Sequence, residues 1–337
     1  MISAGKPAVN GQDEASILTC SFRGDFDLCA MLCASVDRFV PDNVQHRIYV
    51  PASDLALFAP LANARRQIIA EETLLPKWFW KVPLPAARWR RLLLLPRRNI
   101  YVTPFSMPVR GWIAQQIMKV AGAADSPTEI VMHVDSDAVF VRPFSLETLY
   151  QDGAGVRLFR RPHVDAEGHR CWHLSASTLL GLPPDPFHDG DYIDSLVVWR
   201  RSVVHRMIGR IEEIGGRDWR VVLARTQHFS EYLLYGVFAE RVLGLADARL
   251  AIAPVSLCHT RWSDEFAGAE DETEFVTSLD PRMIAGCVQS TIALPLPQLR
   301  NLYDRLVAFA ASQDRAAPED DRSVVQIAER RESLASR

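Results

Sequence analysis

The chain is poor in the features that mark membrane-spanning or disulfide-stabilised proteins. None of its 337 residues lies in an apolar run near the roughly 20 residues that cross a bilayer, and residues 1–14 lack the apolar stretch of a secretory signal. The six cysteines form no CxxC pair. We therefore expect reduced thiols and a cytoplasmic globular protein, with the inner face of the membrane as a further location.

Acidic residues are absent from residues 73–124, although the net charge of the whole chain is only −3. The same stretch holds nine basic residues, and such a positive field attracts anionic ligands or surfaces. Tryptophans are interleaved with the bases in residues 77–98, which predicts either a peripheral membrane contact or a loop that packs its aromatics on the domain. A pI near 6.3 and the lack of a nucleic-acid-binding motif argue against nucleic acid as a partner.

Apolar patterning alternates between strand and helix in the first part of the chain. The predicted strands are residues 17–22, 47–50 and 67–70, and the predicted helices between them are residues 28–39 and 54–64. This alternation indicates parallel βαβ units and an α/β fold. Further helices are predicted at 111–120, at 202–214, from Ser230 onward and at 299–311, further strands at 129–137 and 193–199, and a loop rich in His and Arg at 160–173.

Two carboxylates end the strand predicted at residues 129–137. Asp135 and Asp137 stand one residue apart, where open α/β sheets bind their ligands. Like charges held this close raise each other's pKa, so the pair is costly unless a cation lies between them. Mg²⁺ and Mn²⁺ prefer oxygen ligands and complete their shells with phosphate oxygens and water. The pattern therefore favours a divalent-metal site over the plain alternative of two solvated turn residues.

The segment 130–144, IVMHVDSDAVFVRPF, resembles the D-x-D segment of glycosyltransferases with the GT-A fold, and looks closest to poorly characterised bacterial glycosyltransferase-like proteins. The resemblance implies one GT-A-like α/β domain, in which a Rossmann-like mixed sheet is flanked by helices. It places this domain at residues 15–311, with a nucleotide-binding half at 15–145 and an acceptor half at 146–311. Residues 1–14 are then a loose N-terminal segment, and residues 312–337 are a polar tail.

The resemblance also implies a reaction. A metal-dependent glycosyltransferase would move a sugar from a nucleotide-sugar, expected to be a nucleoside-diphosphate sugar, to an acceptor hydroxyl. The acceptor would be a glycan, a lipid-linked sugar or another hydroxyl compound, as in bacterial surface polysaccharide synthesis. By resemblance, Asp135 and Asp137 would hold Mn²⁺ or Mg²⁺ and the donor diphosphate, and His259 would complete the metal shell.

Four further residues receive roles in the same reaction. Glu231 occupies the position of the base that inverting members use, and Asp191 is a second acidic candidate near the acceptor. Lys119 and Gln116, on the helix predicted at 111–120, are expected at the donor diphosphate, where a cation stabilises the leaving group. A retaining mechanism would not need the base, and the sequence leaves both stereochemical outcomes open.

Two alternatives compete with the transferase. The segment 135–139, DSDAV, also fits the D-x-D-x-[TV] motif of haloacid-dehalogenase-like phosphatases, with Asp135 as phosphorylated nucleophile and Asp137 as acid/base. That family needs a lysine beyond the motif, whereas the last lysine here is Lys119, and its motif strand usually opens the domain. The other alternative is a non-catalytic protein that binds carbohydrate or a membrane surface through its basic, Trp-rich stretch.

The histidines near these elements have two interpretations each. His133 lies two residues before the acid pair on the same strand face, where it either supports the carboxylates or is simply buried. His169, Cys171 and His173 alternate along the chain, with His163 nearby. Their spacing matches no common zinc site, which favours an acceptor-side loop.

Overall fold

The computed structural model describes residues 14–82, 99–151, 155–162, 167–188, 190–262, 265–292 and 294–316. The segment predicted to be loose, residues 1–14, lies outside this part except for Glu14, and the predicted tail is described only as far as Ala316. His163 and residues 83–98 of the basic, Trp-rich stretch also lie outside it. Among the described residues, no helix combines the length and the apolar character that crossing a bilayer requires.

Strands and helices alternate along most of the described chain. The strands are β1 (Ala15–Cys20), β2 (Gln45–Val50), β3 (Arg66–Ala70), β4 (Trp80–Lys81), β5 (Ile100–Thr103), β6 (Ser106–Arg110), β7 (Ile130–Val134), β8 (Ala138–Phe140), β9 (Tyr150–Gln151), β10 (Gly155–Phe159), β11 (Leu196–Arg200), β12 (Leu250–Ala253), β13 (Cys258–Arg261) and β14 (Ala285–Val288). The helices are α1 (Phe26–Phe39), α2 (Leu55–Phe58), α3 (Gly111–Ala124), α4 (Arg170–Leu180), α5 (Arg201–Gly215), α6 (Trp219–Arg225), α7 (Glu231–Val237), α8 (Leu245–Ala248), α9 (Ala269–Thr277) and α10 (Leu296–Ala316).

A five-stranded sheet in the order β11-β7-β1-β2-β3 forms the centre. The strands β7, β1, β2 and β3 are parallel, whereas β11 runs antiparallel to β7, with Leu196 opposite Val134. Parallel strands joined by helices are covered on both faces, which explains why β7 is buried along its whole length. The predicted fold class is confirmed: the chain is α/β, with a mixed, mostly parallel sheet flanked by helices.

Three small sheets surround the centre, in the orders β12-β10-β9, β13-β14-β8 and β4-β5-β6. The second one matters most for the site, because β8 follows β7 after a three-residue turn. In this sheet β14 pairs with both neighbours, so that Cys287 lies opposite Ala138 on one side and Thr260 on the other. The chain therefore passes from the central sheet to a second sheet at the acid pair.

One hydrophobic cluster connects the elements around the central sheet. It includes Ile17 of β1, Ile117 of α3, Trp199 of β11 and Tyr235 of α7, all fully or almost fully buried. The rings of Trp199 and Tyr235 stack with centroids 4.5 Å apart and planes 8° from parallel. Full burial of one large apolar side chain contributes about 1.5–3 kcal/mol relative to an exposed one. This packing fixes α3, α7 and β11 around the carboxyl end of β7.

The structure corrects two local predictions. The loop predicted at 160–173 is wrong in its last part, because helix α4 begins at Arg170 and ends at Gly181, which adopts the left-handed conformation at φ +66°. The helix predicted at 54–64 is reduced to the single turn α2 between two 3₁₀ turns, the second of which contains Pro60. The missing N–H of proline at that point prevents a continuous α-helix.

Candidate functional site

A tight turn between β7 and β8 carries the acid pair. The Ala138 N–H donates to the Asp135 carbonyl at 3.1 Å, and the Asp135 N–H donates to the Ser195 carbonyl at 3.3 Å. The strand predicted at 129–137 is therefore interrupted, and both carboxylates follow the carboxyl end of β7, beside the end of the parallel strand β1. The Asp135 side chain is 34% exposed, so a ligand can reach it.

Lys119 of α3 neutralises one member of the pair. Its Nζ lies 2.9 Å from Asp135 Oδ1 and 3.4 Å from Glu231 Oε1, and it donates to the Tyr232 hydroxyl at 2.7 Å. Burial by itself would lower the pKa of Lys119, but the neighbouring charges of Asp135 and Glu231 outweigh burial and raise this pKa well above its ordinary value. Lys119 is therefore a buried, permanently charged cation between two carboxylates.

Gln116 connects the same helix to the start of α7. Its Oε1 accepts the Glu231 N–H at 3.0 Å, whereas its Nε2 is buried and has no hydrogen-bond partner within the described residues. Burial raises the pKa of Glu231, because the attraction of Lys119 offsets only part of the lost hydration. The structure thus brings together four of the predicted site residues: Gln116, Lys119, Asp135 and Glu231.

Asp137 is fixed by the second sheet and by α10. Its Oδ2 accepts the Ser290 N–H at 2.8 Å, its Oδ1 accepts the Cys287 thiol at 3.5 Å, and its carbonyl accepts the Tyr303 hydroxyl at 2.6 Å. Burial and the charge of Asp135 raise the pKa of Asp137 above its usual range. The two carboxylates therefore repel each other in the way that the sequence spacing predicts.

Two further aspartates add negative charge around the turn. Burial and then the charge of Asp137 raise the pKa of Asp25, at the start of α1, to about 6. Burial raises the pKa of Asp194 to about 7, although the Ser256 hydroxyl and the Ser195 N–H both donate to this carboxylate. Asp25 was not among the site residues predicted from the sequence. It follows the parallel strand β1, so the rule that strand ends share one edge could have found it.

Asp191 lies in a separate ion-pair network. Its Oδ2 contacts His169 Nδ1 at 3.0 Å and Arg161 Nη2 at 3.4 Å, and its Oδ1 accepts the Ile193 N–H at 3.0 Å. Burial opposes ionisation here, but these contacts outweigh it and lower the pKa of Asp191. The carboxylate is 1% exposed and fully used by these partners, so in this geometry it holds His169 rather than facing a substrate.

His259 faces away from the acid pair. Side chains alternate along a strand, and in β13 the neighbouring Thr260 donates to the Ser195 hydroxyl at 3.2 Å on the site face. His259 instead stacks on Phe275 of α9, with centroids 4.3 Å apart, and its Nε2 lies 2.7 Å from the Phe275 carbonyl. Its predicted role in a metal shell stays a prediction that this orientation does not support.

The acid pair offers oxygen ligands of the kind that a hard divalent cation prefers. No group of three or more His, Cys, Asp or Glu side chains in the described part of the chain could hold a metal ion. Mg²⁺ and Mn²⁺ can nevertheless bind through one or two carboxylates, provided that substrate phosphates and water complete the shell. The repulsion from Asp135, which adds to burial in raising the pKa of Asp137, would be relieved by such an ion. Asp135 and Asp137 therefore fit a metal that arrives with a phosphorylated substrate.

His133 makes no hydrogen bond to the acid pair. Both of its ring nitrogens are buried without a partner in the described structure, and its ring packs 4.2 Å from that of Trp199. Burial, together with the charge of Lys119, lowers the pKa of His133 far below its ordinary value. Of its two interpretations, the structure favours the neutral, buried ring.

The solved structures that are similar to the chain include the two that follow. The apo form of mouse xyloside xylosyltransferase 1 has a TM-score of 0.48 and 9% sequence identity, over 83% of this chain and 99% of that one. An active-site mutant of LgtC has a TM-score of 0.40 and 10% identity, over 88% of this chain and 95% of that one. With both scores below 0.5, these similarities carry no argument about the function of this chain.

Sequence comparison gives a family but no activity. No curated protein matches the chain at a significant level. A family model described as a family of unknown function, DUF6492, matches residues 15–310, which is most of the sequence. The chain therefore belongs to the family of unknown function DUF6492.

Proposed function

We propose that the chain is a metal-dependent glycosyltransferase that takes a sugar from a nucleoside-diphosphate sugar. The observation that carries this proposal is the position of Asp135 and Asp137, which follow the carboxyl end of a central parallel strand and repel each other there. The resemblance of segment 130–144 to the D-x-D segment of GT-A glycosyltransferases supports the same assignment. The two carboxylates would hold Mn²⁺ or Mg²⁺, which supplies positive charge for the departing diphosphate when it is bound.

The residues around the pair have complementary roles in this proposal. Lys119 holds Asp135 through its 2.9 Å contact and adds a fixed positive charge beside the donor site. Glu231 is the proposed acceptor base, because a carboxyl whose pKa is raised by burial is a better base near neutral pH. Asp191 does not take the proton in this geometry but positions His169. His259 receives no role.

The acceptor in this proposal is the hydroxyl of a glycan or a lipid-linked sugar. Peripheral membrane contact through the basic stretch stays a prediction, supported by the exposure of Trp80, Phe105 and Met107 around the sheet of β4, β5 and β6. A role in bacterial surface polysaccharide synthesis and a location at the inner membrane face also stay predictions.

A thermal-shift panel tests the proposal. UDP-, GDP-, dTDP- and ADP-sugars are added with and without Mn²⁺, and the melting temperature is recorded for the wild type and for Asp137→Asn. A ligand at 100 times its Kd stabilises the folded state by about 2.7 kcal/mol. We expect a metal-dependent rise with one nucleotide, lost in Asp137→Asn and kept in Asp304→Asn, an exposed carboxylate on α10. A panel without any metal-dependent shift would contradict the proposal.

One observation keeps the phosphatase as a second candidate. The sequence lacks a lysine after position 119, yet the fold brings Lys119 to within 2.9 Å of Asp135. The phosphatase reaction needs a cation beside its nucleophile. In this chain Lys119, which precedes the motif in the sequence, occupies that position. Hydrolysis of p-nitrophenyl phosphate, abolished in Asp135→Asn and unaffected by nucleotide-sugars, would favour the phosphatase over the transferase.

A further inference from the structure

Three aromatic rings form a stacked shelf beside the site. Trp112, at the start of α3, packs on Trp172 of α4 with centroids 5.4 Å apart and planes 34° from parallel. Trp172 in turn stacks on His169, at 4.5 Å and 26°. Trp112 is 40% exposed although it is one of the largest apolar side chains. Tryptophan is enriched at binding interfaces, because its indole combines a large apolar face with an N–H donor.

His169, which ends the stack opposite Trp112, is held by the buried carboxylate of Asp191. Asp191 is ionised and can only accept hydrogen bonds, so the 3.0 Å contact places a proton on His169 Nδ1. Arg161 contacts the same carboxylate at 3.4 Å. The His169 side chain is 27% exposed, and its Nε2 makes no hydrogen bond to the described residues, so it can bond with a ligand. The shelf thus combines a flat apolar face with a fixed polar group at one edge.

Helix α3 connects this shelf to the acid pair. Trp112, Gln116 and Lys119 are spaced i, i+4 and i+7, so they follow one face of the helix. Seven residues of helix correspond to about 10 Å between Trp112 and Lys119. Gln116 lies between them with a buried Nε2 that lacks a partner in the described structure. The shelf and the lysine that contacts Asp135 therefore share one face of α3.

We propose that this shelf, formed by Trp112, Trp172 and His169, binds a carbohydrate ring of the acceptor. This inference rests on the proposed glycosyltransferase function and names the acceptor subsite. A pyranose has C–H-rich faces, which suit the negative face of an indole, and a rim of hydroxyls that pair with groups such as His169 Nε2. A lipid surface would need no such fixed hydrogen-bonding group beside the rings. The observations therefore favour a sugar over a membrane at this position.

Saturation-transfer NMR tests the shelf without donor or metal. The probes are the methyl glycosides of glucose, galactose, mannose and N-acetylglucosamine, together with lactose and cellobiose. We expect transfer from the wild type to at least one probe, reduced at least fivefold in Trp112→Ala and largely restored in Trp112→Phe. Trp80→Ala is the matched control, because it also removes an exposed indole, on β4. Circular dichroism confirms that each variant folds.

The outcomes separate this inference from the proposed function. Asp137→Asn should keep saccharide binding while it loses the metal-dependent donor shift, because the shelf does not use the acid pair. Absence of transfer to every probe, or transfer unaffected by Trp112→Ala, would overturn the shelf even if donor binding is found. Binding of the protein to phosphatidylcholine–phosphatidylglycerol vesicles that is lost in Trp112→Ala, without saturation transfer to any saccharide, would also overturn the shelf in favour of a lipid surface.

Discussion

Lys119 Nζ lies 2.9 Å from Asp135 Oδ1 and 4.6 Å from the centroid of the Tyr232 ring. A second lysine is placed in nearly the same way elsewhere in the fold. Lys81 Nζ lies 2.8 Å from Glu71 Oε1 and 5.6 Å from the centroid of Tyr101. The two clusters share a cation, a carboxylate and a tyrosine, but only the first lies beside the acid pair. This likeness provides a control for the role of Lys119.

Lys119→Met should abolish the metal-dependent shift with nucleotide-sugars, whereas Lys81→Met should keep it. Both changes leave a buried carboxylate without its cation, so both should lower the free energy of unfolding. Removal of one partner of a buried ion pair costs about 3–5 kcal/mol, and the loss should be smaller for the more exposed Lys81. Urea unfolding measures the stability and thermal shift measures the binding. Equal binding by the two variants would contradict the assignment of Lys119 to the site.

Asp135→Asn should lower stability, whereas Asp137→Asn should leave it unchanged or raise it slightly. Burial and the charge of Asp135 already favour the neutral form of Asp137, so a neutral amide there removes repulsion and can still accept the Ser290 N–H. We expect an equal or slightly higher melting temperature. Asp135→Asn instead removes the negative charge that faces Lys119 and should cost about 1–3 kcal/mol.

Calorimetry of the two variants at neutral pH and without metal makes this comparison. A fall in melting temperature for Asp137→Asn as large as that for Asp135→Asn would contradict the view that the pair is held together against its own repulsion. The expected outcome, an unchanged or higher melting temperature for Asp137→Asn, would show that stability is sacrificed for binding at this site.

The sequence predicts those structural features that depend on residues close together in the chain. The alternation of strand and helix before residue 70 predicted the parallel strands β1, β2 and β3. The apolar run before the two acids likewise predicted the central strand β7. Helix α3 was also predicted, since its apolar spacing does not depend on distant residues. Periodicity and local chemistry suffice for features of this kind.

The remaining features depend on contacts between distant parts of the chain. The face on which His259 lies is fixed by the pairing of β13 with β14, and a shift of one residue would have turned it toward the acid pair. Asp25 joins the site only because β1 and β7 are neighbours in the sheet. Residues 160–173 were predicted as a loop, whereas in the folded chain the segment from Arg170 is helical. None of these three features can be predicted from the local sequence pattern alone.

Gly236→Ala and Gly209→Ala should change stability with opposite sign. Gly236 lies in α7 beneath Tyr192, and a Cβ there would overlap its ring. We expect a loss of about 1–3 kcal/mol, because the well-packed ring cannot move freely. Gly209 lies in α5 with open space around the added carbon, and alanine there should stabilise the fold by about 0.5–1 kcal/mol. Urea unfolding of both variants tests the packing directly, and stabilisation by Gly236→Ala would contradict it.

The stability of the chain should fall below pH 6.5, and His46 should account for part of this loss. His46 is fully buried, and Arg66 Nε donates to its Nδ1 at 3.1 Å, so its proton lies on Nε2 and is donated to Thr19. Burial and the charge of Arg66 lower the pKa of His46 far below 6.5. The unfolded chain therefore binds a proton that the folded chain does not, so this contribution is complete above the unfolded pKa and is lost as the pH falls.

His46→Gln keeps both hydrogen bonds but cannot be protonated, so it isolates this effect. Each pH unit below 6.5 costs the wild type about 1.4 kcal/mol through one such histidine. Between pH 7.5 and 5.0 the wild type should therefore lose about 2 kcal/mol more unfolding free energy than His46→Gln. The exposed His228, changed to Gln, is the control and should follow the wild type. Urea unfolding at the two pH values measures the unfolding free energies. Identical pH dependence in all three proteins would contradict the prediction, because it would mean that His46 takes up its proton in the folded state as well.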